Sequence, residues 1–144
     1  MLVGLGLYGG WSGALMPILV ESIMKTWQKI LAVAFVLVVI DTVWLGLIGS
    51  TYSAVVEKIQ GGRGLRARLW LGAIVYIAMA FLLLKERSAW DAFSTGVATY
   101  AVYDFTVAAL FVDYPVWLGV ADSLWGGILF LTTNAILKKL GGFY

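Results

Sequence analysis

Residues Ile30 to Ile48 read ILAVAFVLVVIDTVWLGLI, 19 positions with one charge among them, and this run decides the solvent in which the chain folds. A helix rises about 1.5 Å per residue, so about 20 apolar residues cross the roughly 30 Å hydrocarbon core of a bilayer. Three further stretches approach or meet that length. They are Leu69 to Leu84, which Arg66, Arg68 and Lys85 extend by snorkelling, Ala92 to Val112, and Val116 to Leu137. Composition agrees. The chain is 62% hydrophobic and 12% charged, against roughly 45–50% and about 25% in soluble domains. Its 15% aromatic content excludes a disordered chain, which needs little hydrophobicity and much charge. The expected fold is an all-α membrane protein, an antiparallel four-helix transmembrane bundle with helices at 30–48, 66–84, 92–112 and 116–137. The short links at 85–91 and 113–115 imply antiparallel neighbours, and Pro115 suits the first turn of the last helix.

The segment before this bundle is different. Residues 2–20 carry no charge but hold five glycines and Pro17. They lack the basic leader and cleavage site of a signal peptide. Gly6 and Gly10, and Gly9 and Gly13, lie four apart, the spacing at which helix backbones approach closely. The chain therefore divides into a glycine-rich extension, 1–28, and a membrane domain, 29–144. The extension reads either as a fifth membrane helix or as a segment lying at the interface or against a partner. Gly4 to Gly9 also spells G-x-G-x-x-G, but no strand precedes it and no βαβ unit surrounds it, so a dinucleotide site is excluded.

Without Cys or His, the chain has no disulfides, thiol nucleophile, imidazole base or usual zinc and haem ligands. No cofactor or metal is expected. The net charge of +2 is small and its basic residues are dispersed, so no nucleic-acid partner is expected either. Lys25, Lys29, Lys85, Arg87, Lys138 and Lys139 fall on one side of the bundle, and Lys58, Arg63, Arg66 and Arg68 on the other. The positive-inside rule then places the C-terminus on the cytoplasmic, matrix or stromal side.

Three acids break the apolar background. Asp41, Asp104 and Asp122 lie within the spans, and no Lys, Arg or His lies within any span to pair with them. A charge at this depth costs about 2.5–3.5 kcal/mol or more to insert, so each acid should turn inward, pair, or keep its proton. Asp41 stands 11 residues past Ile30, Asp104 12 past Ala92, and Asp122 6 past Val116 on a helix of opposite direction. All three fall at comparable height, toward the end that holds the 49–68 and 113–115 links. One shared polar layer is expected.

Their surroundings repeat. Asp41-Thr42-Val43-Trp44-Leu45-Gly46 and Asp122-Ser123-Leu124-Trp125-Gly126-Gly127 share the pattern D-[ST]-[VL]-W-x-G. An Asp and a Trp three apart share a helix face, and the indole N–H, a donor only, suits a carboxylate on its own or a facing helix. The hydroxyl of Thr42 or Ser123 can donate, and Gly46, Gly126 and Gly127 leave room for a second helix. Gly96, Tyr100, Asp104 and Ala108 form a stripe at spacing four, with Tyr103 beside it and further hydroxyls at Thr95, Thr99 and Thr106. The candidate intramembrane site is thus Asp41, Trp44, Tyr100, Tyr103, Asp104, Asp122, Ser123 and Trp125.

The D-x-x-W-L-G of Asp41 to Gly46, the Y-x-x-Y-D-x-T of Tyr100 to Thr106, and the P-V-W-L-G-V-A-D-S-L-W-G of Pro115 to Gly126 occur in that order. Together they resemble the Domain of Unknown Function 2177 family of small predicted membrane proteins, over roughly Lys29 to Leu137. The resemblance implies a four-helix membrane domain with these Asp, Trp and Tyr positions as its signature, and it brings no activity, substrate or cofactor. Residues 1–28 stand as an addition to it.

The first functional expectation is a non-catalytic integral membrane protein, contacting lipid and acting as a subunit of a homo-oligomer or a larger membrane complex. In it the Asp/Trp/Tyr layer fixes helix packing. The alternative is a proton- or cation-coupled carrier or channel using the three acids. An intramembrane lipid-acting enzyme ranks lower, because neither nucleophile nor His accompanies the carboxylates.

Overall fold

A computed structural model describes residues 11–141 and 143. It contains four helices, α1 (Trp11–Ile59), α2 (Leu69–Leu83), α3 (Ala89–Leu110) and α4 (Val116–Leu140). Their boundaries follow local chemistry. α1 ends where Gly61 and Gly62 take φ of +66° and +85°, a left-handed turn closed by Gly62 N donating to Glu57 O at 2.9 Å. Only glycine enters that region without a Cβ penalty. α3 starts at Ser88, whose side chain accepts from the backbone N of Asp91 at 2.9 Å, with Asp91 in the first turn. Pro115, φ −75°, precedes α4, and Lys138 and Lys139 occupy its last turn.

α1 corrects the expected boundaries most. Its 49 residues reach about 73 Å, whereas the sequence led to a helix over 30–48. Residues 11–28 pass Pro17 and continue into that helix, so among the described residues there is no separate fifth helix. Gly13 lies in α1, and Gly6, Gly9 and Gly10 lie outside the described residues. At the other end α1 absorbs Gly49 to Ile59, expected as a link. α2 is shorter than expected, because Arg66 and Arg68 lie outside it, and its 15 residues rise about 22 Å. Among the described residues two helices are long and apolar enough to cross a membrane, α1 over Lys25–Ile59 and α4, while α2 is a shorter apolar helix. α3 carries Ser94, Thr95, Thr99, Tyr100, Asp104 and Thr106, which dilute its hydropathy.

The order of contacts makes α1 and α4 antiparallel. Lys29 meets Phe143, Trp44 meets Asp122, and Tyr52 meets Tyr114, so rising numbers on α1 pair with falling numbers toward and past α4. The closest helix pair is α3 and α4. Gly96 and Gly126 make it so: a Cβ on Gly96 would strike the carbonyl oxygen of Gly126, and one on Gly127 would lie 2.6 Å from Phe93 Cε2. These three glycines are packing residues. Among the described residues nothing lies within 4 Å of the Cβ position of Gly46.

The core has two storeys. At the end marked by Lys29 and Lys138, Ile30, Val33, Leu37, Leu83, Leu129 and Phe130 form an apolar cluster. Toward the end marked by Lys58, whose ammonium meets Asp113 at 2.7 Å, the buried residues become polar: Asp41, Asp104, Asp122 and Ser123. Outward faces are strongly apolar, with Phe35, Leu47, Val102 and Leu110 all exposed. A soluble monomer rarely exposes so much contiguous apolar surface.

Candidate functional site

The three acids come from three helices and are all buried, Asp104 completely. What brings Asp41 and Asp122 together is an exchange between the two D-x-x-W motifs. Trp44 Nε1 donates to Asp122 Oδ1 at 2.5 Å, and Trp125 Nε1 donates to Asp41 Oδ1 at 2.7 Å. The indoles stack between the helices, centroids 5.2 Å apart and planes 8° from parallel. Because α1 and α4 run oppositely and carry the same motif, each helix gives its Trp to the other's Asp. This is the reciprocity of a twofold contact, realised inside one chain. The indole N–H is a donor only and the carboxylate an acceptor, so the exchange satisfies donor and acceptor at once.

Tyrosines complete the layer. Tyr76 of α2 donates to Asp41 Oδ2 at 2.6 Å, and Tyr100 of α3 approaches the same oxygen at 3.5 Å. Tyr52 of α1 donates to Asp122 Oδ2 at 2.9 Å and lies 3.1 Å from Asp104 Oδ1. Its single proton serves one carboxylate at a time. Tyr114, in the link between α3 and α4, donates to Asp104 Oδ1 in a short hydrogen bond and packs edge-on against Tyr52 at 67°. Burial, and then the hydrogen bond to Asp104, hold the Tyr114 phenol above its usual range. Asp104 Oδ2 is buried with no hydrogen-bond partner.

Most of the expected site is therefore assembled in one place: Asp41, Trp44, Tyr100, Asp104, Asp122 and Trp125. Ser123 and Tyr103 play other parts. Ser123 Oγ donates to Gly119 O of its own helix at 2.6 Å, and Thr42 likewise turns back to Val39 O. A backbone carbonyl one turn earlier is nearer than any carboxylate. Tyr103 is largely exposed and lies at the mouth of a cavity rather than in the hydrogen-bond network. Thr99 and Thr106 bond back to Thr95 O and Val102 O, and Thr95 donates to Glu86 Oε1.

Tyr52, Tyr76 and Tyr114 join the layer without standing out in the sequence as site residues. Tyr52 and Tyr114 lie in stretches that read as links. Tyr76 carried a signal: it is the one side-chain hydroxyl in Leu69 to Leu84, and a phenol at that depth needs an acceptor.

A cavity of about 480 Å³ borders the layer between α2 and α3, reaching Asp41 and Asp122. The acids have no basic counterpart, since the sequence holds no Lys or Arg in 30–57, 69–84 or 88–137. Among the described residues no group of three or more His, Cys, Asp or Glu is arranged to hold a metal ion. Chemically, the layer is rich in hydrogen-bond acceptors, and its carboxylates can bind a proton or a cationic group.

The model of the family described as "Predicted membrane protein (DUF2177)" matches residues 26–138, most of the chain and all of this layer. No curated protein and no solved structure matches the chain.

Proposed function

This chain belongs to the DUF2177 family of predicted membrane proteins, and from that premise we propose that it is a non-catalytic, multi-pass membrane protein acting as a subunit of a homo-oligomer or larger membrane complex. All four helices lie in the bilayer as an antiparallel bundle, and the Asp/Trp/Tyr layer locks their register. The observation that carries this reading is the exchange of Trp44 and Trp125 between Asp122 and Asp41. Hydrogen bonds between membrane helices contribute only about 0.6 kcal/mol each on average, so such a network specifies one register more than it holds the bundle together. The subunit role draws support from Gly46, whose Cβ position meets nothing within 4 Å among the described residues. An outward glycine on an apolar helix lets a second helix approach closely. Native mass spectrometry of the protein extracted into lipid nanodiscs tests this: oligomers or co-purifying membrane subunits are expected, and Gly46→Leu should weaken the association. A stable monomer without partners would sink it.

A second reading, a proton- or cation-coupled carrier, is supported by three buried acids without basic residues and by the unpartnered Asp104 Oδ2. Purified protein in liposomes should then move protons or a monovalent cation down an imposed gradient, and Asp104→Asn should stop the flux while the helical spectrum is retained. Flux indifferent to Asp104→Asn removes this reading.

A further inference from the structure

The bundle opens sideways beside the acid layer. α2 and α3 touch far less than α3 and α4 do, and the 480 Å³ cavity lies between them. Pockets for small molecules run from about 300 to 1,000 Å³. Its walls are apolar, chiefly Val75 and Met79 of α2, and Asp41 and Asp122 stand at its polar side with Tyr76. Gly72 forms part of the rim, and a Cβ there would meet nothing within 4 Å. Gly72, Val75 and Met79 lie along one face of α2 among outward-facing Leu71 and Ile74. The mouth is therefore flanked by apolar side chains, with Arg68, the N-cap of α2, one turn before Gly72.

We propose that this cleft binds a single-chain membrane amphiphile with a primary amine or ammonium headgroup, which enters sideways from the lipid. The nitrogen donates to Asp41 and Asp122, and the chain lies along Val75 and Met79. This inference rests on the four-helix membrane reading above, which places the mouth in hydrocarbon.

The headgroup chemistry follows from the acceptors. A carboxylate offers about four acceptor sites. Asp41 takes Trp125 and Tyr76, with Tyr100 farther off, and Asp122 takes Trp44 and Tyr52. Each keeps acceptor capacity. An anionic headgroup would approach two acids in a lining that holds no Lys or Arg to offset it. A neutral alcohol supplies one donor. An ammonium supplies three donors and the missing positive charge, and charge-assisted hydrogen bonds are roughly twice as strong as neutral ones. The apolar part of the lining, with Val75 and Met79, offers a surface to a hydrocarbon chain that a bare inorganic cation does not carry.

The test uses the full chain in phosphatidylcholine nanodiscs, with dodecylamine, dodecanol and dodecanoate as probes, read by native mass spectrometry at increasing probe concentration. Dodecylamine should saturate at one molecule per chain, about tenfold or more tighter than dodecanol, with dodecanoate weakest. Asp41→Asn should weaken dodecylamine binding by about tenfold or more. Should Asp41→Asn fail to fold, Gly72→Leu decides, because it fills open space on a helix and should abolish binding while the bundle keeps its melting temperature. Equal binding of all three probes, or dodecylamine binding unaffected by Gly72→Leu, overturns the proposal. Absent amine binding by a protein that still inserts and melts normally refutes this cleft alone, whereas failure to insert refutes the membrane reading.

Discussion

Replacing Trp125 by Phe keeps a ring beside Trp44 but removes the N–H that Asp41 Oδ1 accepts at 2.7 Å. Two magnitudes compete. If Asp41 became a buried charge without a partner, the loss would be about 3–5 kcal/mol. The structure argues against that, because Tyr76 still donates to Oδ2 at 2.6 Å. The expected cost is that of one interhelical hydrogen bond, about 0.6 kcal/mol and at most about 1.7 kcal/mol, plus a part of the stacking term, which is about 0.5–1.5 kcal/mol for an aromatic pair. The net destabilisation should be about 1–2 kcal/mol. Trp44→Phe should cost a similar amount for the same reason. The double variant should cost less than the sum, since the two rings touch at 5.2 Å and lose one shared stacking contact. Trp90→Phe is the control, exposed and outside the acid layer, with an expected effect within about 0.5 kcal/mol. Reversible unfolding in mixed micelles, followed by far-ultraviolet circular dichroism, measures all four. Equal effects of Trp125→Phe and Trp90→Phe, or strict additivity of the double variant, would refute the exchange as the lock between α1 and α4.

Tyr114→Phe should destabilise more than Trp125→Phe, by about 1–3 kcal/mol, because Asp104 Oδ2 already lacks a partner and only Tyr52, at 3.1 Å, remains near Oδ1; the same unfolding assay checks it. Gly96→Ala should lower stability by about 1–3 kcal/mol through overpacking, since its new methyl strikes the Gly126 carbonyl, while Gly49→Ala, with nothing within 4 Å, should be neutral or slightly stabilising. Gly61→Ala should cost about 1 kcal/mol by forcing a side chain into positive φ, measurable as a drop in melting temperature. Lys58→Gln should change stability by less than about 1 kcal/mol, because both partners of the Lys58–Asp113 ion pair are solvent-accessible.

How far the site could be read in advance depended on whether a residue's role was local. The acid layer was legible because an Asp in an apolar helix must turn inward whatever its neighbours are, and counting from the span ends placed three of them at one height. The D-x-x-W repeat was legible as a pair of motifs with an acceptor and a donor on one face. Three things were not legible. The hydroxyls of Thr42 and Ser123 found carbonyls of their own helix before any carboxylate, a local competition that residue type alone leaves open. Tyr52 belonged to a helix longer than the hydrophobic run that announced it, since α1 continues through Gly49 and Ser50 to Ile59. Gly46 has the spacing of a packing residue, and among the described residues nothing lies within 4 Å of its Cβ position, so its partner cannot be read from spacing.

Composition and spacing alone point to the class of molecule: long apolar runs suited to membrane helices, with three acids inside them. Solvation energy enforces that arrangement residue by residue, so no neighbour needs to be known. Which donor meets which acid follows from how the helices pack. Every carboxylate had several Trp and Tyr candidates at the same height. The close approach of α3 to α4 at Gly96 and Gly126, and the antiparallel pairing of α1 with α4, put each Trp against the other helix's Asp and left α2 and α3 apart, with an opening to two of the acids.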